Sequence, residues 1–133
     1  MSSFEFPKAA GLFQNPAFSQ VVAAKGARTI YVSAQVAIDQ NGKTVGGGDL
    51  PAQTEQVMKN LGLALEAAGA RFKDVVKIVT YVVDYKPEHR ATIGQVRSQF
   101  LSKSNPPAST LLGISALASP EWLIEIEAVA VTD

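Results

Sequence analysis

The sequence predicts a two-layer fold in which two helices lie across one face of a four-stranded sheet, in the order β-β-α-β-α-β-β. Three observations point to it. Apolar residues alternate near both ends of the chain, the mark of strands with two different faces. Two segments between them carry apolar residues at helical spacing. A β-rich run that is apolar on both sides separates those two segments.

Residues 4–20 hold Pro7, Pro16, Asn15 and several aromatics, and read as an ordered but irregular lead-in. From Arg28 to Ile38 the chain alternates, with Ile30, Val32, Ala34, Val36 and Ile38 on one face. Asn41-Gly42 is a tight-turn signal, so 43–45 is expected to pair back as a short hairpin strand before Gly46-Gly47-Gly48 ends it. The glycines lack the Lys-Ser/Thr ending of a phosphate loop and read as a flexible turn.

The first helix is expected over 52–68, on the stripe Thr54, Val57, Met58, Leu61, Leu65 and Ala68. Asp49 and Pro51 supply its start signals and Gly69 its stop. Val75 to Val83 is the doubly apolar strand. The second helix follows Pro87, presents Ile93, Val96, Phe100 and Leu101, and ends at Asn105-Pro106-Pro107. Two strands joined by a loop complete the chain. The last puts Leu123, Glu125, Glu127, Val129 and Val131 on one face and Ile124, Ile126, Ala128 and Ala130 on the other. Carboxylates on an otherwise apolar face need partners or water, so this face is a polar edge or the wall of a site.

At 133 residues the whole chain, 1–133, reads as one domain with a core that needs no staples. With 47% apolar and 18% charged residues it is globular. The absence of cysteine excludes disulfides, thiol catalysis and zinc–thiolate sites, and His89 as the single histidine excludes a multi-histidine metal site. No metal and no cofactor is expected. Twelve basic residues balance twelve acidic ones, so neither a nucleic-acid footprint nor an anionic-membrane surface is expected. The N-terminus lacks the features of a signal peptide, and no apolar run reaches membrane-spanning length. The expectation is a soluble, cytoplasmic protein.

Two helices cover about one face of a four-stranded sheet. The other face, apolar through 75–83, would be a large exposed patch on a monomer. Self-association through that face is the economical solution, with a small-molecule site in the grooves between copies.

The residues that specify these elements also resemble a family. Tyr31-Val-Ser-Ala-Gln35, the Asn-Gly turn, Ala52-Gln-Thr-Glu-Gln-Val-Met-Lys-Asn60, Leu65-Glu-Ala-Ala-Gly-Ala70, Asp74-Val-Val-Lys77, Pro107-Ala-Ser109 and Ile124-Glu-Ile-Glu-Ala-Val-Ala130 recur in this order in the RidA/YjgF family, also labelled endoribonuclease L-PSP. The resemblance covers nearly the whole chain. It implies a chorismate-mutase-like α+β fold with a mixed sheet, two helices on one face, and a homotrimer around a central barrel with three intersubunit clefts. It implies hydrolysis of enamine and imine intermediates, in which the Arg of a Pro-Ala-Arg signature grips the substrate carboxylate. Here Ser109 stands in place of that Arg. A hydroxyl replaces a bidentate guanidinium, a loss of about 1.5–3 kcal/mol of binding to a carboxylate. The departure is that of branches lacking the Arg, with weak or absent imine deaminase activity. Phe18 replaces a cleft tyrosine, and Ala34 the glycine of a Ser-Gly-Gln whose serine is Ser33. The family's acidic residue is Glu125.

The candidate site residues are therefore Glu125, as the base that positions water at a C=N carbon, and Phe18, Ser33, Ala34, Ser109, Thr110 and Trp122 as ligand contacts. Ser109 and Thr110 could donate hydrogen bonds, and Phe13, Phe18 and Trp122 could form an apolar wall. Glu127 reads as structural. His89 reads as a solvated surface group, which leaves Ser109 without a base and disfavours a hydrolytic triad. Arg28, Arg71, Arg90 and Arg97 are scattered and read as surface. Three function classes stand: hydrolysis or tautomerisation of a small imine, enamine or related carbonyl compound; a non-catalytic ligand sensor or protein-binding scaffold; and ribonuclease, which the lack of paired acid–base groups and of basic platforms disfavours.

Overall fold

A computed structural model describes all 133 residues. It contains β1 (Ser3–Glu5), β2 (Ala23–Lys25), β3 (Arg28–Gln35), α1 (Leu50–Ala67), β4 (Val75–Val83), α2 (Pro87–Arg97), β5 (Ala108–Ile114) and β6 (Ile124–Thr132). The main sheet runs β3-β6-β4-β5, with β5 parallel to β4 and the other pairs antiparallel. This is the α+β architecture expected, a mixed sheet with both helices on one side. No helix is long and apolar enough to cross a membrane.

Burial separates the two sheet faces. Val32, Ile78, Thr80, Val82, Ile124, Ile126, Ala128 and Ala130 are buried against α1 and α2, together with Val57, Met58, Leu61, Leu65 and Ile93 of the helices. The opposite face carries Val79, Tyr81, Glu125, Glu127 and Val129, none of them fully buried, with Tyr31 79% and Leu112 44% exposed at its edges. One side of the sheet is thus uncovered in the protomer.

Four expectations are corrected. The second helix ends at Arg97, so Phe100 and Leu101 of its expected stripe lie beyond it. The stretch 28–38 does not alternate throughout: register shifts between Val32 and Gln35, and Val36 and Ala37 are both buried beyond it. A bulge of this kind turns the strand off the sheet. The expected 43–45 strand is a turn held by the single bridge Ile38–Thr44 and the bond from Val45 N to Ala37 O. The lead-in contains an unanticipated two-stranded ribbon, β1 with β2.

Polar side chains on α1 hold the loops that the helix meets. Asp49 caps it by accepting from Ala52 N at 3.0 Å, and Pro51 sits in its first turn. Gly69, at φ +77°, ends it in the left-handed conformation that favours glycine. Asn60 donates to Val36 O and Ile38 O, both at 2.9 Å. Gln53, fully buried, donates to Glu121 O and accepts from Leu123 N, each at 2.9 Å, fixing the entry to β6. Gln53→Leu would leave that carbonyl and N–H, both part-buried, without their side-chain partner. The expected cost is about 2–3 kcal/mol, measured as a lower denaturation midpoint at unchanged m-value.

Candidate functional site

β5 is an edge strand, and its side chains alternate between a helix-covered face and the uncovered one. Ser109 pairs in register with buried Ile78 and so points toward α2, whereas Thr110 pairs with Val79 and points the other way. Thr110 accepts from Lys77 Nζ at 2.8 Å on the uncovered face. The two neighbours therefore serve different surfaces.

On the helix side a cavity of about 690 Å³ opens between α2, the start of β5 and the lead-in. Ser109 and Phe18 both line it. The lead-in is tied to β5 by the bridge Ser19–Ala108, by Ser19 N donating to Pro107 O at 3.1 Å, and by the Ser19 hydroxyl donating to Pro106 O. These bonds bring Phe18 beside Ser109. Ile93, Leu101 and Leu111 supply the apolar part of the wall.

The residue that sequence reasoning missed is Arg97. It comes off the last turn of α2, lies partly buried in this cavity, and donates from Nη2 to Ser109 Oγ at 3.2 Å. Its Nε is buried with no partner. Burial lowers its pKa from the ordinary arginine value, yet a guanidinium stays charged at any physiological pH. Arg97 is therefore no solvated surface charge. A guanidinium does stand at Ser109, delivered by a helix rather than by the strand. Only the helical phase could have signalled it: Ile93 and Arg97 are one turn apart on α2, so the arginine follows the face that packs inward.

Two more cations, Arg90 and Lys103, line the cavity, and no carboxylate does. The chain's two ion pairs, Met1 with Asp133 and Lys86 with Asp84, involve none of the three. A cavity of this size, partly apolar, with unpaired cations and one buried unsatisfied N–H, is chemically suited to a small organic anion.

The other predicted residues lie elsewhere. Glu125 projects from the uncovered face of β6, opposite Tyr81. Burial, and then the charge of Glu127, push its pKa up from the ordinary glutamate value. Glu127 accepts from the Tyr81 hydroxyl, the structural contact expected of it, and that bond is the leading cause of the raised Tyr81 pKa. Ser33 is exposed and Ala34 half-buried on β3, at the opposite sheet edge from Ser109. Three strand spacings, about 14 Å, separate those edges. Trp122 sits in the loop before β6, its Nε1 buried without a partner, and does not line the cavity. Phe13 is 79% exposed and forms no wall. His89 is half-buried rather than solvated: its Nδ1 accepts from Lys86 N at 3.0 Å, which caps α2.

Comparison with known proteins agrees with this architecture. The structure superposes on that of YyfB from Yersinia pestis, a Rid-family protein of unknown function, with TM-score 0.91 and 41% identity over 96% of this chain and 98% of that one. It superposes on RidA from an Antarctic Psychrobacter with TM-score 0.70 and 30% identity, over 94% and 92% of the two chains. In sequence it is 36% identical to the human 2-iminobutanoate/2-iminopropanoate deaminase over 104 residues, 78% of this chain and 73% of that one. Residues 12–132 match the family described as Endoribonuclease L-PSP. By sequence and by fold, this chain belongs to that family, the RidA/YjgF or Rid family.

Proposed function

We propose that this protein binds a small organic anion, with Arg97 and Ser109 together taking the place of the arginine missing from Pro107-Ala108-Ser109. The Arg97–Ser109 contact inside a cation-lined, carboxylate-free cavity carries the reading. The contact holds the guanidinium in place and leaves its remaining Nη N–H groups for a ligand carboxylate. Arg97→Ala is expected to weaken binding of 2-oxobutanoate, a stable stand-in for a 2-imino acid, by about tenfold or more. Exchanging the two residues, Arg97→Ser with Ser109→Arg, is expected to restore it. Isothermal titration checks both, and unchanged affinity in Arg97→Ala overturns the assignment.

The assembly in this proposal is a homotrimer that buries the uncovered sheet face. Two observations support it. That face carries Tyr31, Val79, Leu112 and Val129 without cover. Ser33 and Ala34 also lie too far from Ser109 to share its site within one chain, but the β3 edge of a second copy could supply them. Sedimentation is expected to give three times the 14.1 kDa protomer mass at micromolar concentration, and Leu112→Glu to shift it toward the protomer. A stable protomer in the unmutated protein would refute the assembly.

The activity proposed is hydrolysis of an imine or enamine, or the related tautomerisation. Water adds to the C=N carbon and ammonia leaves, giving the 2-oxo acid. Glu125, brought in at the cleft between copies, would take the proton from water. Its raised pKa sets the sign of the pH dependence. Only the ionised carboxylate is a base, so turnover should rise with pH through a midpoint raised from the ordinary glutamate value. Glu125→Gln should abolish turnover and leave the fold intact. The same raised pKa means the carboxylate favours folding most when protonated, a contribution lost as pH climbs through the folded-state pKa. Thermal stability of Glu125→Gln should therefore exceed that of the parent at neutral pH, with the gap closing in acid. Turnover retained by Glu125→Gln removes it from catalysis.

A second reading has its own observation. The cavity lining contains neither a carboxylate nor a histidine, so a single protomer can bind an anion with neither of the commonest general bases beside it. Stabilisation by 2-oxobutanoate without imine hydrolysis would mark the protein as a ligand sensor.

A further inference from the structure

We infer that the cavity selects a dianion with its two charges at opposite ends of a short chain, a 2-imino or 2-oxo dicarboxylate in preference to the monocarboxylate. This rests on the anion-binding reading above and specifies its ligand class. Arg90, Gly94 and Arg97 recur at four- and three-residue spacing on α2 and line one wall of the cavity. The two arginines are seven residues apart, which separates their Cα atoms by about 10.5 Å along the helix axis.

Between them the wall is bare. A Cβ added at Gly94 would meet nothing within 4 Å. The gap is flanked by Ile93 and Leu101, which suit the methylene part of a ligand. The Arg97–Ser109 pair lines the cavity at the C-terminal end of α2. At the other, Arg90 is exposed and held by no acidic side chain, and so is free to turn toward a ligand.

A monocarboxylate bound at Arg97 satisfies one of three unpaired cations. Arg90 and Lys103 would remain uncompensated beside it, and no acidic group of the lining offsets them. A second carboxylate, carried across the Gly94 gap, meets that excess. Charge complementarity of this kind decides between ligands that share the rest of their chemistry.

The test is isothermal titration of the full chain at low salt with 2-oxobutanoate, 2-oxoglutarate and inorganic phosphate. The expected result is that 2-oxoglutarate binds about tenfold or more tightly than 2-oxobutanoate. Arg90→Ala should collapse that ratio toward one. Gly94→Leu replaces a weak helix former with a strong one, so it should fold at least as well and still lose the dicarboxylate preference by filling the gap. Equal affinity for the two oxo acids in the unmutated protein would overturn the dianion inference and leave the anion site standing. Binding of neither would overturn the anion site itself. Phosphate binding as tightly as 2-oxoglutarate would overturn the two-ended geometry in favour of a compact dianion.

Discussion

The parallel pairing of β4 with β5 is the constraint on which the site depends. Parallel neighbours cannot be joined by a tight turn, so the chain must cross over one face of the sheet before it returns. Here the crossover is α2, entered through the left-handed Asp84 at φ 51°. Tyr85 then packs onto β5 where Gly113 makes room: a Cβ there would come within 2.9 Å of the Tyr85 Cβ. This anchors the first turn of α2 against one end of β5. The last turn consequently falls over the other end, where Ser109 lies. Arg97 meets Ser109 because a crossover helix has to span the strand it leads to.

The same alternation that gives the sheet two faces divides its chemistry. Ser109 faces the helices, where unpaired cations gather. Thr110, Tyr81, Glu125 and Glu127 face the uncovered side, where the Tyr81 hydroxyl donates to Glu127 and Lys77 to Thr110. Attraction of an anion and removal of a proton need opposite electrostatics, and one small cavity serves both poorly. A protomer that keeps the cations of the cavity on one face and Glu125 and Glu127 on the other avoids neutralising either set. Bringing the two together at an edge between copies would confine the full complement to the assembled protein.

The elements were legible where local pattern and tertiary role coincide. The α1 stripe is buried as its 3.6-residue period implies, and the cap at Asp49 and stop at Gly69 act as their residue types predict. The division of β6 between Ile124, Ile126, Ala128 and Ala130 on one face and the two glutamates on the other followed from a period of two. The bulge after Val32 was not legible, because a single extra residue leaves composition unchanged while reversing every later side chain. The β1–β2 ribbon pairs segments eighteen or more residues apart, through strands of three residues too short to show a period.

Arg97 shows a different limit. Position by position along the motif, Ser109 is a lost cation. What a ligand meets is a point in space, and a helix lying over a strand can fill that point from twelve residues away in the chain. Such a relocation, as proposed above, would change the chemistry as well as the address. A guanidinium rooted on the strand would be fixed by its own backbone, whereas Arg97 reaches in from a helix and depends on the Ser109 hydroxyl to hold its head. On the proposed function, serine is then no defective remnant of the signature. It is small enough to admit the incoming arginine and polar enough to accept its hydrogen bond, and an arginine at both positions would set two like charges against each other in the same partly buried space.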